Sequence, residues 1–511
     1  MRKSDGNYNL ESDHIVNSSL RFQILLSLLM SSMLSHGYNA ADLLETTIVS
    51  IPKDPRGCMS SSSNYRGISL CNAICKLYDI IFISKYKQLL YTSDNQFAFK
   101  SEHSTSLCTS IFTETVSYFV NRNSSVFSCL LDASKAFDNV HYGKLFELLL
   151  GRNLPPHVLR FIFDGYLRQS VNVRFNSCRS RGFSISNGVK QGGIISPILF
   201  IIYYDELIKM LSCVPYGCKV GGRYVGVLSY ADDITLLAPT RNALQNMIHV
   251  CERFSNDFLI NFNANKSLAI VFGTKADNCK PVSLNGNEIE WKDKVRHLGN
   301  VVNERLDDCD DVIAKKGKFL GSVNWFVGHF QHKLPINVYT KLFNTYCTSF
   351  YGSTLWNIHD NAFKDICITW NKCVRRVMAI PYTTHTALLG PIMGCVHISL
   401  RFVKRFCKFI DTMYNSSNKI VKYFYLNACY SAQSPIGRNL AMMRFKYGLS
   451  ININSNGSLH DVFVCKYMCQ NDNNHKSECI KELLCVINNE CHIDGMCKQE
   501  VSDILNYLCC N

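Results

Sequence analysis

Residues 227–238 read Val-Leu-Ser-Tyr-Ala-Asp-Asp-Ile-Thr-Leu-Leu-Ala. Two short apolar runs flank Tyr230-Ala231-Asp232-Asp233, the pattern of a tight hairpin that carries two acids at its turn. Adjacent carboxylates repel, and a desolvated carboxylate is costly unless positive charge is supplied. A hard divalent cation meets that need, because Mg²⁺ takes oxygen ligands and commonly uses one or two carboxylates together with substrate phosphates. An isolated Asp-Asp pair reads first as an exposed acidic turn, so its neighbours decide.

Upstream, Val126 to Val140 (VFSCLLDASKAFDNV) opens with an apolar strand that ends in Asp132. If the two strands are neighbours in one sheet, the third acid meets the other two. Between them lies Asn187-Gly188-Val189-Lys190-Gln191-Gly192-Gly193-Ile194-Ile195-Ser196-Pro197. Its Gly-Gly turn lets backbone approach a ligand closely, and Ser196 as N-cap with Pro197 at the first helical position predicts an apolar helix to about Leu211.

In this order the three segments resemble the palm of reverse transcriptases. Asp132-x-x-x-Ala136-Phe137-Asp138 looks like the first catalytic motif, Tyr230-Ala231-Asp232-Asp233 like the second, and Gln191-Gly192 like the loop that packs on the nascent base pair. The resemblance implies an α+β right-hand polymerase fold with fingers, an antiparallel palm sheet, a helical thumb and a mostly helical C-terminal region. The divisions it implies are 1–125 for an N-terminal extension and fingers and 126–305 for the palm, whose insert around 140–195 contributes to the fingers. The thumb follows at 306–400, then a Cys-rich helical region at 401–511. It also implies two Mg²⁺ ions, replaceable by Mn²⁺, on Asp132, Asp232, Asp233 and the carbonyl of Ala133.

Closer still is the similarity to non-LTR (LINE-type) retrotransposon reverse transcriptases. There an Ile-Pro-Lys segment precedes Asn-Tyr-Arg, matched here by Ile51-Pro52-Lys53 and Asn64-Tyr65-Arg66; Gly67 stands where the family usually has proline, which is expected to loosen that strand. By the resemblance, Arg66 and Lys53 hold the triphosphate of the incoming nucleotide, a role that suits a planar guanidinium with two parallel donors. Read alone, each is a solvated loop cation. Phe137 would sit beneath the nucleotide sugar and exclude a 2′-hydroxyl; read alone it is a core phenylalanine. Lys266 would protonate the leaving pyrophosphate, or is a surface lysine. His297-Leu298-Gly299 resembles the primer grip, with histidine replacing the usual tyrosine.

The 511 residues carry 54 Lys and Arg against 40 Asp and Glu, a formal charge of +14 that suits a polyanionic partner. An apolar content of 47% argues against extensive disorder. The run Phe22 to Leu34 is too short and too interrupted by serines to span a bilayer, so a helix stopped near Gly37 is expected, with no membrane partner. Twenty-five cysteines and no signal peptide predict reduced thiols in an intracellular protein of the nucleus or cytoplasm. Arg401, Lys404, Arg405 and Lys408 fall at helical spacing and would form one cationic stripe, able to follow a nucleic-acid backbone or simply to stay solvated. Cys465, Cys469, His475 and Cys479 are of zinc-ligand type, but their spacing is irregular and zinc is not expected.

The expected function is RNA-directed DNA polymerisation on an RNA template with a DNA primer and deoxynucleoside triphosphates. The nick that frees the primer would come from a separate endonuclease. The alternative is a truncated or domesticated element that binds nucleic acid without catalysis.

Overall fold

A computed structural model describes residues 12–273, 279–330 and 334–447. The 465–479 cysteine and histidine set and the rest of the expected Cys-rich region from residue 448 on lie outside the described residues. The described chain is α+β, and its central layer is a four-stranded antiparallel sheet in the order Leu268–Phe272, Val126–Leu131, Asp233–Ala238, Val227–Tyr230.

Side-chain alternation sorts this sheet into two faces. Val126, Leu228, Leu237, Ile270 and Phe272 point one way, against Leu107, Ile111 and Phe112 of helix Thr105–Val120. Phe127, Cys129, Leu131, Val227 and Leu236 point the other way, against Phe200 of helix Ser196–Ser212 and Leu244 and Met247 of helix Arg241–Phe258. Both faces are therefore buried, which is why these strands are nearly continuous apolar runs. Each large side chain so covered contributes about 1.5–3 kcal/mol. The same burial leaves only the strand ends open to solvent, and that is where the acids fall.

A second sheet stands beside the first. Strand Glu45–Pro52 pairs antiparallel with Tyr65–Leu70 and parallel with Ser170–Phe175, so a segment distant in sequence completes it. Gly67 was expected to loosen this sheet, yet it sits fully in register opposite Ser50. A β-carbon there would meet the Cγ2 of Ile48 at 2.9 Å, so the missing side chain lets the strands close rather than part.

Helix ends follow local chemistry in most places. Ser104 and Thr240 accept from the backbone N–H three residues on, and Leu20–His36 stops at Gly37, whose φ is +64°. Ser196 differs from its expected role. The helix starts at Ser196 itself, Ile195 occupies the cap, and the cap N–H is bonded at 3.2 Å by the carboxylate of Asp79 from another helix. The Ser196 hydroxyl instead lies 3.4 Å from that of Tyr166. A buried carboxylate at a helix N-terminus answers both the orphan donors and the dipole there.

The helical region after residue 308 forms its own core around Trp356, Trp370, Phe402 and Phe406, continuous with the sheet through Val295, Val302 and Phe112. Glu114, 1% exposed, accepts from the Ile436 N–H at 2.7 Å and so ties helix Thr105–Val120 to helix Pro435–Tyr447. Burial pushes its carboxyl up to about 7. A carboxyl raised on folding contributes stability that is present below its ordinary range and lost as pH rises through about 7. The thermal midpoint is therefore expected to fall between pH 5 and pH 8, and Glu114→Gln to flatten that slope and raise the midpoint at pH 8. An unchanged slope in the variant would assign the pH dependence elsewhere.

No disulfide joins the described cysteines. Among the described residues no helix is long and apolar enough to cross a membrane.

Candidate active site

The acid hairpin is closed by the pair Asp233–Tyr230, which leaves Ala231 and Asp232 as its two-residue turn. Ala231 has φ +60°, a left-handed conformation that costs a non-glycine residue about 1–2 kcal/mol. Gln96 holds it there. This fully buried side chain accepts from the Ala231 N–H at 3.1 Å and donates to the Ser229 hydroxyl at 2.8 Å, while the Ser229 hydroxyl reaches the Ala231 carbonyl at 3.2 Å. Gln96 did not stand out in the sequence. Its only signal is the amide pair Asn95-Gln96 just ahead of Phe97-Ala98-Phe99.

Register brings the third acid in. Leu131 lies opposite Ile234, so one step further along the antiparallel pair sets Asp132 against Asp233. On its other side Asp132 is fixed by the loop 261–267: its N–H is bonded by the Ser267 hydroxyl at 3.2 Å, and its carbonyl accepts from the Asn263 N–H at 2.8 Å. Ala133 bridges Phe262 with flanking bonds made by Asp132 and Ser134, a pairing in which the middle residue's own carbonyl points away from the partner strand. The same loop carries Lys266, which is exposed.

The three carboxylates feel one another. Burial and then the charge of Asp132 push Asp232 up, while Arg66 pulls it down. Asp233 keeps an open edge to solvent, yet the burial around its carboxyl, with Asp232 and Asp132 beside it, pushes it up to about 6. Asp132, Asp233, Lys266, Arg296, His297, Leu298 and Gly299 line a single cavity of about 250 Å³ at this end of the sheet. The hydroxyl of Tyr204, buried and without a hydrogen-bond partner, is close enough to Asp232 and Asp132 for their charge to raise it further. Oxygen donors, mutual repulsion and an orphaned hydroxyl fit a hard divalent cation. Among the described residues no set of three or more His, Cys, Asp or Glu side chains is already drawn together as a metal cage.

The remaining predicted residues divide. Arg66 comes from the second sheet to within electrostatic range of Asp232. Lys53 stays in its own loop, its ammonium donating to the Ser63 carbonyl at 2.9 Å. Gln191 donates to the Asp138 carboxylate at 3.0 Å and its carbonyl accepts from the Ser69 N–H at 2.6 Å. Gly192 has φ +118°, and a β-carbon there would lie 2.7 Å from the Ser69 carbonyl oxygen, so only glycine lets this loop lie against the strand that carries Arg66. Phe137 is half-buried, stacked on Phe200 at 4.0 Å and edge-on to Phe99.

His297 is 3% exposed, stacked on Phe112 at 4.7 Å and bonded to the Thr109 hydroxyl, with burial lowering its ring to about 4. Most of its ring is thus committed to packing. The turn itself is Leu298-Gly299, with φ +46° and +84°, the paired positive values of a type I′ hairpin. Tyr351, from beyond helix Ile336–Tyr346, clamps it. Its hydroxyl donates to the Leu298 carbonyl at 3.0 Å and lies 2.6 Å from that of Thr105, and a β-carbon on Gly299 would meet its ring at 2.9 Å. Burial first and Tyr351 second push the Tyr230 phenol up, so Tyr351 touches the Leu298-Gly299 turn and lies within electrostatic range of the acid hairpin.

A four-stranded antiparallel sheet, open at one end where acids from two of its strands converge, is the palm of a polymerase fold. Residues 51–321, more than half of the chain, match the family model described as Reverse transcriptase (RNA-dependent DNA polymerase). The chain belongs to that family. It is 25% identical over 285 residues to the Pol polyprotein of the type-1 retrotransposable element R2 of Nasonia vitripennis, an alignment that covers 54% of this chain and 28% of that one. It is 22% identical over 387 residues to the RNA-directed DNA polymerase from mobile element jockey of Drosophila funebris, covering 71% and 41%. These relatives belong to the LINE-type group that the motifs resemble, and the chain spans less than half the length of either. Apo telomerase from Candida Tropicalis superposes with a TM-score of 0.39 at 12% identity, over 84% of this chain and 72% of that one.

Proposed function

We propose that this chain is an RNA-directed DNA polymerase that extends a DNA primer on an RNA template, using deoxynucleoside triphosphates. The observation that supports this reading most directly is the meeting of Asp132, Asp232 and Asp233 at one open end of the sheet, with Lys266 and Arg296 lining the same cavity as Asp132 and Asp233.

Asp132, Asp232 and Asp233, with the Ala133 carbonyl, would hold two Mg²⁺ ions. When bound, such ions lower the pKa of an attacking hydroxyl and neutralise charge on a leaving pyrophosphate. The primer 3′-oxygen forms a bond to the α-phosphorus as the bond to the β-phosphate oxygen breaks, and the hydroxyl proton passes to solvent. Lys266 returns a proton to the departing pyrophosphate. Arg66 takes the triphosphate, and Gln191 and Gly192, steadied by Asp138 and Ser69, support the nascent base pair. Phe137 limits the space below the sugar. Leu298 and Gly299, fixed by Tyr351, hold the primer terminus while His297 anchors their hairpin to the core. Lys53 serves the fingers loop rather than the phosphates. The nick that frees a primer comes from a separate endonuclease activity.

The test is extension of oligo(dT) on poly(rA) with dTTP and Mg²⁺. Incorporation that depends on the divalent ion is expected. Salt-sensitive binding of the substrate without any extension would leave only a nucleic-acid-binding protein.

A further inference from the structure

Away from the palm cavity, helices Ile336–Tyr346 and Ile398–Asn415 enclose a groove of about 1180 Å³. The four cations that share a helical face in the sequence do not act alike within it. Arg401 turns inward to the Asn344 and Thr348 side chains, at 3.0 Å each. Arg405 turns inward too, donating to the carbonyls of Ser349, Phe350 and Thr348 and to the Ser353 hydroxyl. These are carbonyls just past the end of helix Ile336–Tyr346, where the intrahelical partners run out. The two guanidiniums therefore form a fixed inner wall. Lys404 and Lys408, one turn apart, and Lys341 from the facing helix line the groove beside them.

Among the described residues no carboxylate lines this groove. Five cations lining one concavity make a positive field, and low-dielectric walls focus it. The volume exceeds the roughly 300–1,000 Å³ of small-ligand clefts. A flat anionic bilayer would need these cations on a convex face beside apolar side chains, whereas here they line a recess.

We propose that this groove is a second nucleic-acid track that holds a strand by its phosphodiester backbone, outside the palm cavity and without reading sequence. The inference rests on the polymerase reading for the identity of the polyanion. The inner wall also grips the loop that carries Tyr351, so a strand in the groove bears on the same loop that clamps the Leu298-Gly299 turn.

The experiment measures binding of a fluorescent single-stranded RNA of about 30 nucleotides, and of the same sequence as DNA, over a range of NaCl concentrations. It compares the wild-type chain with the combined variant Lys341→Glu, Lys404→Glu, Lys408→Glu. A control carries Lys87→Glu, Lys280→Glu and Lys372→Glu, exposed lysines outside the groove that make the same change in net charge. The groove variant is expected to bind about tenfold more weakly. Its log–log salt slope should be shallower by about 2, at roughly 0.7 per lost phosphate contact on a single strand. Loss for RNA alone, for DNA alone or for both supports the track and names the strand. Equal binding by groove variant and control overturns it, as does a loss confined to phosphatidylserine vesicles. Thermal midpoints confirm that both variants fold. Wild-type primer extension, run in parallel, separates the two readings: loss of groove binding without any wild-type extension keeps the track and removes the polymerase, while extension with unaltered binding does the reverse.

Discussion

Asp232→Asn is expected to lower primer extension by about 10³-fold or more, roughly 4 kcal/mol of barrier at 1.36 kcal/mol per decade. Asparagine keeps the shape of the side chain and one oxygen, so the turn held by Gln96 persists. What it removes is the charge that, with Asp132 and Asp233, makes this end of the sheet attractive to divalent cations. The same loss of charge relieves repulsion in the metal-free protein, because burial and Asp132 already push the Asp232 carboxyl up. The variant should therefore melt no lower than wild type without Mg²⁺, while being inactive with it. Circular dichroism melts beside the extension assay separate a folding defect from a catalytic one. A residual rate within tenfold of wild type would remove Asp232 from the chemistry.

Lys315→Met should destabilise the chain by about 3–5 kcal/mol, the usual cost of stranding a buried charge. Lys315 and Asp311 form an ion pair at 2.6 Å, with side chains 8% and 5% exposed. Asp311 also accepts from the Trp356 indole at 2.8 Å and from the Val301 N–H at 2.9 Å, and Lys315 donates to the Asn300 side chain at 2.8 Å. Asn300 and Val301 belong to the Lys294–Asn303 hairpin, so this network is one joint between the helical region and the palm. Burial lowers the Lys315 ammonium, and its bond to Asp311 works against that. Gly352 shares the joint, since a β-carbon there would collide with Asn300. Adding Asp311→Asn to Lys315→Met should recover part of the loss, because the remaining buried group is then neutral. Chemical denaturation of Lys315→Met, Asp311→Asn alone and the pair measures the coupling. Additive losses would show that the pair is not a unit.

The helices, strands and acids were legible in the sequence because each leaves a local signature. Short, nearly continuous apolar runs marked the palm strands, Ser196-Pro197 marked a helix start, and the order of motifs around Asp132, Gln191 and Asp232 carried the family resemblance. What stayed hidden depends on partners far apart in the sequence or on which way a side chain turns. Gln96 beneath Ala231, Asp79 capping Ser196–Ser212 and Tyr351 over the Leu298-Gly299 turn leave no periodic trace, because chain closure rather than spacing brings them together. Arg401 and Arg405 shared one helical face with Lys404 and Lys408 in the sequence, and only the unpaired carbonyls of residues 348–350 turned Arg405 inward. Sequence alone determined which groups are present and which local elements carry them. Tertiary structure alone decided which of them are buried, and burial sets the strength of every charge and hydrogen bond at the site.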